Sequence, residues 1–197
     1  MKKLGFGLMR MPTLDKANAA LIGFLAVLCT VLLLAGGYTG YHRLSSAAGG
    51  DLDALAGQAA KYFGTEEMSI TKTAQRGDYL AALCADSGGN WYMCEYDRDK
   101  VFPNRWYANG GKRGVKAGKL VSWNYGGGGN AVLIFCGVEL PDEVRQYTFQ
   151  NSGITYICPV TDHTVLDIFI VPDCNDISST PVMLESSDLL LKNYKEE

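Results

Sequence analysis

Residues 19–37 read AALIGFLAVLCTVLLLAGG, a stretch without a single charged side chain. As an α-helix it is about 28 Å long, close to the ~30 Å hydrocarbon core of a bilayer. The sequence therefore predicts one transmembrane helix over residues 19–37, preceded by a basic cytoplasmic tail over residues 1–18.

The length of this apolar run favours a permanent anchor over a removable signal. A secretory signal has an apolar core of roughly 7–15 residues followed by a small-residue cleavage site. The run here is longer, although Ala35-Gly36-Gly37 and Ser46-Ala47-Ala48 would tolerate cleavage. We predict an uncleaved signal anchor, with removal of the segment as the alternative.

The flanking charges predict the orientation of the span. Shortly after the span only Arg43 is reliably positive, whereas four basic residues precede it: Lys2, Lys3, Arg10 and Lys16. Positive residues favour the cytoplasmic side. We expect the N-terminus in the cytoplasm and residues 38–197 outside the cell membrane, with Tyr38 and Tyr41 at the outer interface.

Beyond the span, the sequence predicts a linker over residues 38–50 and one extracytoplasmic β-rich domain over residues 51–197. The stretch from Ser45 to Gly50 is small and polar, which indicates a flexible connection. Asp51 can then cap a short amphipathic helix over residues 51–63, and Gly64 can end it. The helix places apolar residues such as Leu55 and Ala59 on one face.

After Gly64 the pattern changes to short segments rich in Tyr, Trp, Val and Ile, separated by Gly, Asn, Asp and Pro. Short connections favour antiparallel neighbours, because parallel strands need long crossovers. We expect a mainly β (α+β) fold, an antiparallel meander, sandwich or partly open barrel; residues 187–191 could add a closing strand or a helical turn. The predicted strands are 68–75, 79–85, 91–96, 101–107, 119–124, 131–138, 144–150, 153–159 and 165–171.

Two cysteines of one predicted hairpin could form a disulfide. If Gly88-Gly89-Asn90 forms the loop, Cys84 and Cys94 face one another directly across two strands. Opposed residues on antiparallel strands come close enough for such a bond. The alternative is two buried thiols on the same face of the sheet.

Residues 100–119 form a basic region without any acidic residue, interleaved with Phe102, Trp106 and Tyr107. From residue 139 to the end, eleven acids stand against three bases, so the chain is polarised. A basic, aromatic loop outside a membrane could contact anionic lipid or a cell-envelope polymer; otherwise it is a solvated loop. The candidate polyanion-binding residues are Lys100, Arg105, Trp106, Lys112, Arg113, Lys116 and Lys119.

No catalytic, metal or cofactor motif is recognisable, and we expect none of these groups. The formal net charge of −3 argues against a nucleic-acid binder. The favoured function is a non-catalytic binding or interaction module held at a bacterial-type cell membrane, with a lipid, polymer or protein partner. The alternative is an envelope enzyme in which a thiol, such as that of Cys158, acts as nucleophile with His163 as base.

Overall fold

The computed structural model describes residues 16–127, 130–151, 154–172 and 182–184. It divides into two compact units, Met1–Tyr41 and His42–Glu197. Three predicted features lie outside the described residues: the basic tail before Lys16, Cys174, and the closing segment at residues 187–191.

The apolar stretch forms the centre of one long helix, α1, which spans Lys16–Ser45. It is long and apolar enough to cross a membrane, and the residues from Asn18 to Thr39 are all exposed. The helix extends eight residues beyond the predicted span. The last turn, His42–Ser45, belongs to the second unit.

The predicted linker, residues 38–50, contains regular structure, because residues 38–45 continue α1. After α1, Ser46 and Ala47 are buried, at 4% and 2% exposure. Strand β1, Ala47–Ala48, pairs antiparallel with Trp106 and Arg105 of a later strand. Small side chains indicated flexibility, but here they allow the chain to pack closely against the domain.

Helix α2 confirms the predicted amphipathic helix and spans Leu52–Phe63. The Asp51 side chain accepts a hydrogen bond from Ala54 N–H, and Gly64 ends the helix in the left-handed conformation. Its buried face is formed by Leu55, Ala56, Ala59, Ala60 and Phe63.

The remaining chain forms three antiparallel sheets, with strand orders β1-β5-β4-β3-β2, β10-β7-β6 and β11-β8-β9. The mainly β prediction is confirmed. The strands are β2 (Met68–Arg76), β3 (Tyr79–Asp86), β4 (Trp91–Arg98), β5 (Arg105–Val115), β6 (Lys119–Gly127), β7 (Asn130–Val138), β8 (Gln146–Asn151), β9 (Ile154–Pro159), β10 (Val165–Pro172) and β11 (Val182–Leu184).

These elements stack in layers around three apolar clusters. Helix α2 packs on one face of the first sheet, which curls around it as a half-barrel, since α2 contacts β2 on one side and β1 and β5 on the other. The opposite face of the first sheet packs on the second sheet. The third sheet covers the remaining face of the second through aromatic contacts of Phe135 with Tyr147 and Phe149.

Strand β5 differs most from its prediction. The sequence predicts a strand at residues 101–107 followed by an exposed basic loop, but β5 begins at Arg105 and continues to Val115. At Gly110 and Gly111, neighbouring atoms occupy the space that a side chain would need. A Cβ atom on Gly111 would collide with the Met93 carbonyl oxygen and the Phe63 ring.

Candidate functional site

The end of helix α1 is capped by residues from elsewhere in the second unit. The guanidinium of Arg105 donates to the carbonyl oxygens of Arg43, at 2.8 Å, and of Ser46, while its Nε donates to the Ser46 hydroxyl at 2.9 Å. The side chain of Gln58 donates to the Ser45 carbonyl at 3.1 Å. Donors here satisfy helix carbonyls that have no partner within the helix, and the Arg105 charge also complements the helix dipole.

Asp99 joins the last turn of α1 to the loop between β4 and β5. Its Oδ2 lies 2.9 Å from Nδ1 of His42. Its Oδ1 accepts hydrogen bonds from the backbone N–H groups of Val101, at 2.7 Å, and Phe102, at 2.9 Å. The loop is closed at its base because Asp99 N–H donates to the carbonyl of Arg105. The side chain of Asp99 is only 1% exposed, so the loop is organised around a buried carboxylate.

Hydrogen bonding decides the ionisation of this carboxylate. Burial raises the pKa of Asp99, but the hydrogen bonds from Phe102 N–H, His42 and Val101 N–H outweigh that effect and hold the pKa below its usual value. Asp99 is therefore an anion at neutral pH, and the donors around it compensate its charge.

An open cleft of about 430 Å³ lies beside this loop. Arg98 crosses it: its guanidinium donates to Asp78 at 2.5 Å and to the Pro103 carbonyl at 2.6 Å, and stands over the Trp106 ring. The residues lining the cleft are Asp78, Asp97, Arg98, Asp99, Lys100, Pro103 and Tyr107.

Most charges in the cleft are already compensated by neighbours. Asp97 accepts a hydrogen bond from the Asn109 side chain at 2.6 Å. Burial raises the pKa of Tyr107, and the negative charges of Asp97 and Asp99 raise it further. Among the described residues, Lys100 has no ion-pair partner, and its side chain is exposed. The polar groups of the cleft thus bond mainly to one another, and Lys100 at its edge is an exposed cation without an ion-pair partner in the described part of the chain.

The seven candidate polyanion-binding residues do not form one patch. Trp106 is 2% exposed and Arg105 is engaged with the end of α1, so neither is available at the surface. Lys112 and Arg113 point to opposite faces, because Lys112 lies opposite Met93 and Arg113 opposite Tyr92. Lys100 is exposed before β5, and Lys116 and Lys119 are exposed after it.

The basic residues therefore divide between the two ends of β5. At a rise of about 3.3 Å per residue, this eleven-residue strand separates its ends by about 30 Å. Lys100 lies at the end near α1. At the other end, Lys116 and Lys119 flank the turn into β6, and Arg113 stacks on Phe63 and donates to its carbonyl at 2.5 Å. We call residues 113–119 the distal basic turn.

The predicted opposition of Cys84 and Cys94 is wrong. Cys84 lies opposite Tyr92, and Cys94 lies opposite Ala82. The two cysteines are diagonal neighbours on the same buried face, and both are free thiols. A diagonal pair is about 7–8 Å apart, beyond the usual reach of a disulfide. The structure thus has two buried thiols on one face of the sheet, the arrangement given above as the alternative to a disulfide.

In the structure, the side chains of Cys158 and His163 contact different residues. Cys158 is buried, and burial raises the pKa of its thiol; its polar neighbour is Tyr147, which lies opposite it. His163 is exposed, with its Nδ1 at 3.2 Å from the Leu140 carbonyl oxygen and 3.5 Å from Asp142. A thiol nucleophile needs a base in contact and a lowered pKa, and neither appears at Cys158 in the described part of the chain.

Sequence reasoning missed the residues that organise the junction: His42, Ser46, Gln58 and Asp99. One local signal was available, since an Asp side chain in a turn typically accepts the backbone N–H two residues later, as Asp99 does from Val101. The partner across 57 positions, His42, carries no such signal.

Comparison with known proteins finds no matching family model, no matching curated protein and no matching solved structure.

Proposed function

We propose that this chain is a single-pass membrane protein whose β domain, outside the cytoplasm, is a non-catalytic binding module. The observation that carries the proposal is the exposure of α1: from Asn18 to Thr39 every side chain is exposed, including ten large apolar ones from Leu21 to Leu34 and Tyr38 after them. A continuous apolar helix surface of this length requires a non-aqueous surrounding. A lipid bilayer supplies it.

The junction supports an anchor that is retained. Cleavage after Ala48 would remove His42, Ser46 and strand β1. Asp99 would then lose the His42 contact at 2.9 Å, and Arg105 would lose its acceptors on Ser46. Leaving buried polar groups without partners costs about 1–3 kcal/mol for each group. A domain built around these contacts favours keeping the segment that makes them.

The distal basic turn supports binding of a polyanion of the cell envelope. Lys116 and Lys119 are exposed and have no ion-pair partner among the described residues. Arg113 adds a third charge beside them, held by Phe63. The turn lies about 30 Å along β5 from the strand end that contacts the last turn of α1, so it is a surface separate from that end.

Topology is tested by labelling intact cells with a membrane-impermeant thiol reagent. Gly50 is exposed and has open space for a side chain, so Gly50→Cys should be labelled above the background of the parent chain. Thr13→Cys should be labelled only after permeabilisation. Labelling of Thr13→Cys alone in intact cells would reverse the orientation. A mature protein that begins after residue 37 would overturn the anchor.

Binding is tested with the full-length chain in zwitterionic nanodiscs and soluble polyphosphate as the probe. We expect binding at low salt that weakens steeply towards physiological salt. The double variant Lys116→Gln/Lys119→Gln should bind about tenfold more weakly, since each charge near an anionic surface contributes up to ~1 kcal/mol. Arg145→Gln, an exposed arginine outside the turn, is the matched control. Equal binding by the double variant and the control would overturn the role of the turn.

A further inference from the structure

We propose that the loop between β4 and β5, together with the last turn of α1, binds the headgroups of anionic phospholipids. The surface consists of Arg43, Leu44, Lys100, Phe102 and Pro103, and we call it the junction surface. The proposal rests on the membrane anchor of the proposed function. It assigns the other end of the basic region, distinct from the distal basic turn, to the lipid itself.

The loop is held beside the helix end by contacts within the second unit. Asp99 connects it to His42 at 2.9 Å, and Arg105 connects the start of β5 to the Arg43 carbonyl at 2.8 Å. His42 is the residue immediately after Tyr41. Arg43 lies six positions along the helix from Gly37, the end of the apolar stretch, a rise of about 9 Å. Each headgroup layer adds about 5–8 Å to the hydrocarbon core, so a side chain as long as that of Arg43 can reach it.

The loop is also preorganised. Asp99 Oδ1 accepts two backbone N–H groups of the loop, and Arg105 N–H donates to the Phe102 carbonyl at 2.8 Å. With the bond from Asp99 N–H to the Arg105 carbonyl, four hydrogen bonds within seven residues fix its backbone before any ligand arrives. Binding to a fixed loop avoids most of the ordering cost that weakens association.

The exposed chemistry of the junction surface matches an anionic interface. Arg43 and Lys100 are exposed cations, whereas Asp99, which precedes Lys100 in the chain, is buried and compensated. Leu44 is 90% exposed and Pro103 is also exposed, so apolar surface accompanies the charges. The cleft has two further carboxylates: Asp78 is bonded to Arg98, and Asp97 accepts a hydrogen bond from the Asn109 side chain. Exposed cations together with exposed apolar side chains are typical of surfaces that lie at lipid headgroups.

The test is hydrogen exchange of the full-length chain in two kinds of nanodisc, pure phosphatidylcholine and phosphatidylcholine mixed with phosphatidylglycerol. We expect peptides covering residues 99–105 to exchange more slowly in the anionic discs. The preference for anionic over phosphatidylcholine discs should be about fivefold weaker in the Lys100→Gln variant than in the parent chain. This factor is the equivalent of ~1 kcal/mol for the one charge removed. Lys61→Gln is the matched control, because Lys61 is an exposed lysine on α2 outside both basic surfaces.

The outcomes separate the two proposals. If the chain does not enter nanodiscs at all, the anchor of the proposed function fails. If it enters both kinds and residues 99–105 exchange equally in them, the anchor stands and the junction surface is wrong. Slower exchange in phosphatidylcholine discs on addition of inorganic phosphate would show a site for free phosphate, and that result also overturns the lipid assignment. Equal effects of Lys100→Gln and Lys61→Gln would mean that the net charge of the domain, and not the junction surface, causes the preference. That result would also contradict the proposal.

Discussion

His42 Nδ1 lies 2.9 Å from Oδ2 of Asp99, although 57 positions separate the two residues. This contact joins the last turn of α1 to the loop that carries Lys100, and the Asp99 side chain at its centre is almost fully buried. The same carboxylate therefore organises the loop and holds the end of the helix. Substitutions at Asp99 should therefore act mainly on the stability of this junction, and on the exposed residues only as a consequence.

Replacing Asp99 with alanine should lower the free energy of unfolding by about 2 kcal/mol. The change leaves the N–H groups of Val101 and Phe102 and the ring of His42 without their acceptor, and each lost buried partner costs about 1 kcal/mol or more. Urea unfolding of the full chain in detergent measures the effect. Asp142→Asn, at an exposed carboxylate, is the control and should change stability by less than about 0.5 kcal/mol. Equal effects of the two variants would contradict the role of Asp99.

The difference in unfolding free energy between the parent and Asp99→Asn should become smaller as the pH falls. The pKa of Asp99 is lowered in the folded state, so the ionised carboxylate stabilises the fold above its unfolded pKa of about 3.9. That contribution disappears as the pH falls through the lower, folded value. Urea unfolding should therefore show a gap between the two proteins that is constant near neutral pH and narrows below about pH 4.

One other carboxylate contributes acid sensitivity to both proteins alike. Hydrogen bonds from the Asn90 side chain and backbone lower the pKa of Asp86. The comparison of the parent with Asp99→Asn cancels this contribution. A gap that widens on acidification would contradict the assigned ionisation of Asp99.

Local patterns predicted those elements whose signals lie within a few residues. Asp51 and Gly64 mark the two ends of α2 in the sequence, and both act as caps in the structure. The β2–β3–β4 meander follows from short strands with short turns. Contacts between distant positions had no such signal. The bond between His42 and Asp99 depends on where α1 ends relative to a loop far along the chain, which no local periodicity encodes.

The register of the β3–β4 hairpin shows how a single side chain can override a reasonable pattern. The predicted loop was Gly88-Gly89-Asn90, but Asp86 Oδ1 accepts the N–H groups of Gly88 and Asn90, at 2.9 and 2.8 Å. Asn90 thereby joins the pair that closes the loop, and Gly89 takes the left-handed conformation. Moving the loop by one residue moves the partner of Cys84 by two positions, from Cys94 to Tyr92.

The buried cysteines should be unreactive in the native protein. Burial raises the pKa values of Cys84, Cys94 and Cys136 to about 12, so the reactive thiolate is about one part in ten thousand at pH 8. Iodoacetamide at pH 8, followed by mass mapping, should leave all three unmodified in native protein and modify them in urea. Rapid native labelling of any of them, or a peptide linking Cys84 to Cys94 under non-reducing conditions, would contradict the packing and register of this sheet.

A pair of glycine substitutions tests why β5 is a strand and not the expected loop. Gly111→Ala should destabilise the protein by about 2–4 kcal/mol, because its Cβ atom would collide with the Met93 carbonyl oxygen and the Phe63 ring, and its φ of 151° disfavours a side chain. Gly57→Ala is the matched control: Gly57 is exposed within α2 and has nothing within 4 Å of an added Cβ atom. It should stabilise the protein by up to ~1 kcal/mol, the helix preference of alanine over glycine. Thermal unfolding of both full-length variants gives the comparison. A neutral Gly111→Ala would mean that residues 105–115 do not pack against α2, and the expected exposed loop would then describe this region better.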